Sequence, residues 1–339
     1  MTIKEIADLA GVSKSTVSRV LNGSGSVNEQ TRKKVLKLIK EYDYVPSSIA
    51  RSLSSKSSNT IGWILPVIDS VFFGQITQGI DDALSSMQYT LMMSCTQNDF
   101  KRELKAIRSM RQQNICGLLI TTSSVYEGEN AVKQLICEVN DLKIPVVMID
   151  RSVKGAPWNG IYSENYDGTY EATEALIRAG FTDVCGIFSD LALNLGKERY
   201  RGFCQAMRDH HLSDTHVYTR PGPAFEDDYY HLTCHLVQEN KLPKAVFLSN
   251  GVIASGFFRA ILEQGIRPGF DVHCMSFDYL EALSLTHTPY NYLNRNCYLF
   301  GRTALRILMH SFESKTDLQE KFIIPSSLEL DDTLKALYK

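Results

Sequence analysis

The chain has 339 residues, 44% of them hydrophobic and 22% charged, with a formal net charge of −2. This length allows two or three domains with cores of their own, and the composition is that of an ordinary soluble protein. No apolar run approaches the roughly 18 residues of a membrane span, and the N-terminus shows no basic segment followed by an apolar stretch, so we expect a cytoplasmic protein without a membrane partner.

The first residues are unlike the rest in charge. Residues 1–57 carry ten Lys or Arg against five Asp or Glu, a net charge of +5. The other 282 residues carry 26 basic against 33 acidic side chains, a net charge of −7. A small basic head on an acidic body is typical of a protein that binds nucleic acid.

Residues 1–45 show the pattern of three short helices. Residues 2–5 form a capping box, and apolar residues then recur at helical spacing up to Gly11, where a tight turn needs positive φ. Ser13 can cap a second helix and Asn28 a third. The third helix is predicted to bury Thr31, Val35, Leu38, Ile39 and Tyr42. Two helices joined by a three-residue turn predict a helix-turn-helix.

The polar face of the second helix is the candidate DNA-binding surface. Its donors can reach base edges from the start of the helix, or phosphates further along. The alternative from the pattern alone is a three-helix bundle whose polar face is merely solvated. The residues predicted to contact DNA are Lys14, Ser15, Thr16, Ser18, Arg19 and Asn22.

This head resembles the signature of the lactose/galactose repressor (LacI/GalR) family of bacterial transcription regulators, and the similarity spans nearly the whole chain. The residues that carry it in the head lie at 3–7, 10–22 (AGVSKSTVSRVLN), 27, 31–32, 35 and 44–46. In that family the first residues of the second helix read the major groove, which implies this role for Lys14, Ser15 and Arg19. The resemblance implies that Asn22 contacts the DNA backbone.

Residues 46–58 are rich in serine and are predicted to link two domains. Pro46 can begin a short helix with Leu53 on its apolar face, but such a helix is marginal in isolation. The resemblance implies that two copies pair over the operator centre, where Leu53 wedges into the minor groove and kinks the DNA. The alternative is a flexible tether, with Leu53 packed on the body.

Residues 59–339 alternate apolar runs with helical patterns. The predicted strands are 60–66, 89–94, 117–122, 146–150, 184–188, 245–249 and 274–277, and the first helices are 73–87 and 104–113. This alternation predicts an α/β body with parallel sheets behind an all-α head. Ligands of such sheets bind beyond the carboxyl ends of the strands, where Asp150, Asn250 and Asp278 stand. Carboxylates and amides there suit a polyhydroxylated ligand.

The body resembles the two-lobed sugar-binding domain of the same family, which is related to periplasmic sugar-binding proteins and holds its effector between the lobes. The resemblance implies that Asp150 binds sugar hydroxyls and that Arg199 is the cleft arginine three residues before a glycine. It implies that Asn250 and Asp278 supply further polar contacts.

Phe72 and Phe73 stand where the family places apolar groups against the ligand. The predicted contacts have structural alternatives. Asp150 and Asp278 can cap helices, Arg199 can form a surface ion pair, and both phenylalanines can belong to the core.

Two departures from the family pattern favour an anionic ligand. Gly251 stands where the family usually has an aspartate, and Arg295 where an uncharged or amide residue is common. A lost acid and an added guanidinium favour a sugar phosphate. Residues 150–151 and 276–278 also resemble the branch that senses fructosides, sucrose or fructose phosphates. Residues 331–332 are acidic where the family has a basic residue, which weakens the assignment of a last strand at 325–330.

The sequence therefore predicts a regulator, most simply a repressor of carbohydrate-utilisation genes, with domains at 1–45, 46–58 and 59–339. A homodimer would bind a pseudo-palindromic operator, and a sugar or sugar phosphate would change the angle between the lobes and with it the affinity for DNA. A sugar carrier with the same body and an architectural DNA protein without an effector are the alternatives.

Enzyme motifs are not evident in the sequence. We find no G-x-G-x-x-G after a strand, no phosphate loop, no H-E-x-x-H and no G-x-S-x-G elbow. The eight cysteines form no C-x-x-C pair and are expected to be free thiols. We therefore expect no catalysis, no cofactor and no metal.

Overall fold

A computed structural model of the protein describes residues 1–22, 25–44, 58–123, 128–189, 191–214, 216–222, 224–313 and 319–338, except for the side chain of Asn22. The chain divides into two compact units, Met1–Asn59 and Thr60–Lys339. The predicted linker at 46–58, including Leu53, lies outside the described residues apart from Ser58, so the separate hinge domain stays a prediction.

The first unit contains the three predicted helices. They are α1 (Ile3–Ala10), α2 (Lys14–Asn22) and α3 (Glu29–Glu41). The capping box is present: the Glu5 N–H donates to Thr2 Oγ1 at 3.3 Å, and the Thr2 N–H donates to the Glu5 carboxylate at 2.7 Å. Gly11 has the left-handed conformation, with φ +68°, and the Asn28 side chain caps α3. The helix-turn-helix prediction is therefore confirmed.

One small core holds these helices together. Its buried members are Ile6, Ala7, Ala10, Val17, Val20 and Val35. The prediction that Tyr42 is buried was wrong, since its side chain is 44% exposed. Tyr42 is the C-cap of α3 with φ −100° and ψ 10°, so the helical periodicity that would have turned it inward has already ended.

The second unit consists of two lobes, each built on a six-stranded sheet. Lobe one has the strand order β11-β5-β4-β3-β1-β2, and lobe two has the order β12-β10-β9-β8-β6-β7. The strands of lobe one are β1 (Thr60–Leu65), β2 (Thr90–Cys95), β3 (Gly117–Ile120), β4 (Val146–Ile149), β5 (Asn159–Ser163) and β11 (Lys321–Ile324). Those of lobe two are β6 (Val184–Phe188), β7 (Val217–Thr219), β8 (Ala245–Leu248), β9 (His273–Ser276), β10 (Asn291–Asn294) and β12 (Ser327–Glu329).

Helices cover both sheets. Lobe one carries α4 (Val71–Leu84), α5 (Phe100–Gln112), α6 (Glu129–Asn140) and α12 (Cys297–Glu313). Lobe two carries α7 (Asn165–Arg178), α8 (Asn194–Asp209), α9 (Glu226–Gln238), α10 (Gly251–Glu263), α11 (Glu281–Leu285) and α13 (Asp332–Lys335). Among the described residues, no helix is both long enough and apolar enough to cross a membrane.

The pairing of the strands is parallel except between β10 and β12. Strands β3, β4, β6, β8 and β9 are buried along their whole length, because helices cover both faces of each sheet. The seven strands predicted from the sequence are present, with ends within two residues of the prediction. The α/β fold class is confirmed.

The chain passes between the lobes at the ends of β5, β10 and β11. β5 ends at Ser163 in lobe one, and α7 begins at Asn165 in lobe two. β10 ends at Asn294 in lobe two, and α12 begins at Cys297 in lobe one. Residues on these passages therefore lie where both lobes can contact them.

Glycine allows α4 and α12 to pack backbone against backbone. A Cβ atom at Gly79 of α4 would lie 2.1 Å from the carbonyl oxygen of Tyr298 in α12. A Cβ atom at Gly301 of α12 would lie 2.0 Å from the carbonyl oxygen of Ile76 in α4. Both distances are far below van der Waals contact, and a helical carbonyl cannot turn away without breaking its own hydrogen bond.

We expect Gly79→Ala to lower the free energy of unfolding by about 2 kcal/mol, because the overpacking outweighs the gain in helix propensity. Gly74 lies on the same helix, and a methyl group there would have nothing within 4 Å, so Gly74→Ala is the matched control. The control should be neutral or more stable by up to about 1 kcal/mol. Urea unfolding followed by circular dichroism measures both, and equal effects would contradict the close-packing argument.

Candidate functional site

The polar face of α2 is available to a ligand of the head. Lys14, Ser15 and Arg19 are exposed, and Thr16 and Ser18 are half-buried. Ser13 caps this helix, since its Oγ accepts from the Thr16 N–H at 3.2 Å. The other face of α2 belongs to the core of the head. The structure thus places five of the predicted DNA-binding residues, from Lys14 to Arg19, outside the buried face of α2. Their contacts with DNA stay a prediction, and the side chain of Asn22 and the whole of Leu53 are outside the described residues.

In the second unit, Asp150 follows β4 in lobe one, Asp278 follows β9 in lobe two, and Arg295 follows β10. These are carboxyl ends of strands, where parallel sheets bind their ligands. The three side chains meet, as expected for residues predicted to bind one effector, but the pairing of Arg295 with both acids was not predicted from the sequence. Arg295 is only 5% exposed.

Arg295 lies between the two acids. Its Nη1 is 3.6 Å from Asp150 Oδ1 and donates to Ser163 Oγ at 3.4 Å, and its Nη2 donates to Asp278 Oδ1. The guanidinium carbon is 3.8 Å from the ring centroid of Phe72. Burial by itself lowers the pKa of Arg295, but the surrounding negative groups, Asp278 foremost, raise it above the usual value. The guanidinium is therefore charged at any physiological pH.

Asp150 is held in an uncommon backbone conformation, with φ +65°. Its side chain is buried, and its Oδ1 has no hydrogen-bond donor among the described residues apart from the more distant ion pair with Arg295. A hydroxyl of a bound ligand could donate to this buried acceptor.

Arg199 of α8 is 4% exposed, so the surface ion pair considered as its alternative role is excluded. Its Nε donates to Asn165 Oδ1 at 2.8 Å, and its Nη1 donates to the carbonyl oxygen of Ser249 at 2.6 Å. The guanidinium carbon lies 3.6 Å from the ring centroid of Phe277. Burial, followed by the charge of Arg295, lowers the pKa of Arg199 to about 10. Arg199 is still charged at neutral pH.

Asn250 and Asp278 also have structural roles. Asn250 is the N-cap of α10, accepting from the Ile253 N–H at 3.0 Å, and its amide donates to Ser189 Oγ at 3.2 Å. Asp278 Oδ2 accepts from the N–H of Gly251, the first residue of α10, at 2.8 Å. The capping alternative considered for Asp278 thus describes part of what its side chain does, and Asn250 caps the same helix. A role in binding the ligand stays a prediction for each of them.

The two predicted phenylalanines differ. Phe72 is half-buried and stacks on Arg295. Phe73 packs with Ile61, Leu65 and other residues in the core of lobe one, which is the structural alternative considered for it. The alternation follows from their adjacent positions at the start of α4, about 100° apart around the helix axis.

A cavity of about 280 Å³ opens beside Arg295. It is lined by Val71, Phe72, Gln75, Asp278, Tyr279, Tyr292, Leu293, Asn294, Arg295 and Cys297. Its walls come from both lobes and from the passage between β10 and α12. Burial raises the pKa of the Cys297 thiol to about 11, so this wall carries no thiolate at neutral pH.

Sequence reasoning missed Ser163, Asn165 and Phe277 as neighbours of the site. Ser163 and Asn165 flank a passage between the lobes, and Phe277 lies against Arg199 and, at 5.1 Å, Arg295. The signal was present only for Phe277, which stands next to a strand-end aspartate. The positions of the other two depend on β5, which was not predicted.

The anionic ligand expected from Arg295 receives no support from its contacts. Asp150 and Asp278 both pair with its guanidinium, so its positive charge is not left over for a phosphate. Within the described ranges, no group of three or more His, Cys, Asp or Glu side chains gathers in a way that could hold a metal ion. The eight cysteines are free thiols.

A helix-turn-helix head followed by two parallel-sheet lobes, with polar side chains of both lobes meeting at strand ends, defines a ligand-responsive DNA-binding regulator. Family models agree with this class over most of the chain. Residues 2–47 match the bacterial regulatory proteins of the lacI family, and residues 58–331 match the periplasmic binding proteins and sugar binding domain of the LacI family. The chain belongs to the LacI family and is a transcriptional regulator.

Individual relatives match along their whole length. The ribose operon repressor of Halalkalibacterium halodurans is 29% identical over 336 residues, covering 98% of this chain and 97% of the relative. The HTH-type transcriptional repressor PurR of Vibrio parahaemolyticus is 29% identical over 339 residues, 99% of each chain. The crystal structure of the Lac repressor dimer bound to operator and the anti-inducer ONPF has a TM-score of 0.85 at 24% identity, covering 98% of this chain and 99% of that one, which shows the same fold.

Proposed function

We propose that the chain is a repressor that binds operator DNA through α2 and a small polyhydroxylated ligand between its lobes. The observation that carries the ligand site is the meeting of Asp150 from lobe one and Asp278 from lobe two around Arg295. Such groups supply the acceptors and donors that sugar hydroxyls need. Because they come from both lobes, a bound ligand favours one lobe arrangement over another and so changes DNA affinity.

The operator and the assembly are part of the same proposal. Two heads on a homodimer would bind half-sites of a pseudo-palindrome about one helical turn apart. Support comes from the Lac repressor, whose crystal structure is of a dimer on its operator. One relative is named as a repressor of a ribose operon, which supports genes of carbohydrate utilisation as the targets of this chain. A repressor of this kind works in the cytoplasm, on the nucleoid.

The test is a thermal-shift screen of the full chain with D-ribose, D-fructose, sucrose and the phosphate esters of the two monosaccharides. A ligand present at about 100 times its Kd should stabilise the chain by about 2.7 kcal/mol. The same ligand should change the affinity of the chain for a duplex recovered by selection from random DNA. Failure of every sugar to do either would contradict the proposal.

Removing residues 1–58 distinguishes a regulator from the rival function, a sugar carrier. A carrier would bind its ligand without any effect on DNA binding, and it would function equally well without the head. We also propose that the chain is not an enzyme, so the sugar that binds should be recovered chemically unchanged after long incubation. A consumed sugar would overturn this part of the proposal.

A further inference from the structure

Arg295 is a side chain of the protein, but it lies between the two carboxylates that are proposed to bind the ligand. It stands on the passage from β10 in lobe two to α12 in lobe one, so neither lobe alone fixes it. Its guanidinium contacts Asp150, Ser163 and Phe72 of lobe one together with Asp278 of lobe two. One side chain thus bridges the carboxylates of both lobes.

The charged groups that contact one another directly leave no positive charge over, because the single guanidinium of Arg295 contacts two carboxylates, those of Asp150 and Asp278. Arg151, whose charge also reaches Arg199, donates to the Asn98 side chain and the Thr122 carbonyl. Arg199 donates to neutral oxygens, those of Asn165 and of the Ser249 carbonyl. Burial, Arg295 and Arg151 lower the pKa of Arg199, and Asp278 and Asp150 raise it. An anionic ligand beside Arg295 would also lie close to two carboxylates, in a site where Arg295 and Asp150 are buried.

We propose that Arg295 is a built-in cationic occupant of the effector cleft, which pairs with the carboxylates of both lobes and thereby restricts the effector to an uncharged polyol. The inference rests on the proposed function, because it takes the cleft to be the effector site. It reverses the ligand charge expected from the sequence.

A neutral ligand can donate the hydrogen bond that one acceptor of the cluster lacks. The buried Asp150 Oδ1 needs a hydrogen-bond donor, and a sugar hydroxyl is one that brings no charge. A phosphate meets the opposite situation. If Arg295 turned to bind it, the buried carboxylate of Asp150 and the partly buried one of Asp278 would lose the cation they share. If Arg295 stayed, the phosphate would lie beside both carboxylates.

The first experiment asks whether the site recognises a guanidinium between its acids, and it needs no sugar. Arg295→Ala should be stabilised by methylguanidinium at low millimolar concentration, with a saturable rise in Tm. Wild type should show no such rise. Arg267→Ala is the matched control, because Arg267 is an exposed arginine paired with Asp271. No shift in Arg295→Ala, or an equal shift in the control, would overturn the proposal.

The second experiment measures charge selectivity on full-length chains that remain folded. Calorimetry compares D-ribose with D-ribose 5-phosphate and D-fructose with D-fructose 1-phosphate. Wild type should bind the free sugar more tightly. Asp150→Asn removes one negative charge and should shift the affinity ratio toward the phosphate by roughly tenfold, the effect of one charge at close range in a partly buried site. Arg295→Gln should shift it the other way.

The outcomes separate the two proposals. If no sugar binds wild type, the proposed function fails, and methylguanidinium still decides the role of Arg295. If a phosphate binds wild type more tightly than its free sugar, the restriction to uncharged ligands is wrong while the effector cleft stands. If Arg295→Ala does not fold alone, recovery of folded chain on refolding with methylguanidinium takes the place of the shift in Tm, and no recovery counts against the proposal.

Discussion

Replacing Lys14 and Arg19 together with alanine is expected to weaken binding to a selected operator by roughly 100-fold or more, since each lost base or phosphate contact costs about 1–3 kcal/mol. Both side chains are exposed on the polar face of α2. The opposite face of the helix, with Val17 and Val20, forms the core of the head and is left intact. The loss should therefore appear in DNA affinity and not in the stability of the head.

Fluorescence anisotropy over a series of salt concentrations measures this prediction. Loss of two cationic contacts should reduce the slope of log affinity against log salt by about two. Lys40→Ala is the control, because it also removes one positive charge. Lys40 is exposed on α3, outside the predicted DNA-binding face. An equal loss per charge in the control would mean that the head attracts DNA only through its net charge.

The head was predictable because its signals are local. A capping box, a glycine at a positive φ and an asparagine cap each act within a few residues, so Gly11 and Asn28 could be placed from the sequence alone. The error at Tyr42 arose at a helix end, where periodicity no longer says which way a side chain turns.

The body was predictable where its strands are buried on both faces. Short apolar runs such as those of β1 and β8, placed between helical patterns, indicate strands that are buried on both faces. β5, β7, β10 and β11 were not predicted, because polar or partly exposed residues interrupt the apolar pattern of each. Three of them, β5, β10 and β11, lead into passages between the lobes.

The site was predictable only as a set of strand ends. The rule that ligands bind beyond the carboxyl ends of strands selects Asp150 and Asp278 one at a time. The rule does not say which side chains form ion pairs with each other, so the pairing of both aspartates with Arg295 had to come from the structure. An arginine that the sequence presents as an added charge for the ligand is, in three dimensions, a charge already balanced by the protein.

Replacing Arg199 with methionine should weaken sugar binding by roughly 100-fold and lower the free energy of unfolding by about 2 kcal/mol, because buried acceptors lose their donor. The acceptors are the Asn165 side chain and the Ser249 carbonyl. Methionine is long and apolar enough to keep contact with Phe277. The defect therefore reports the lost hydrogen bonds and charge rather than a cavity.

Two further variants make the test decisive. Arg201→Met alters an exposed arginine of the same helix and should change neither quantity by more than a few tenths of a kcal/mol. Arg199→Lys keeps the charge but lacks the planar fork that reaches two acceptors at once, so its sugar affinity should fall between wild type and Arg199→Met. If calorimetry found the lysine variant equal to wild type, charge alone would be sufficient. If the methionine variant kept its affinity, the cleft would bind its effector without Arg199.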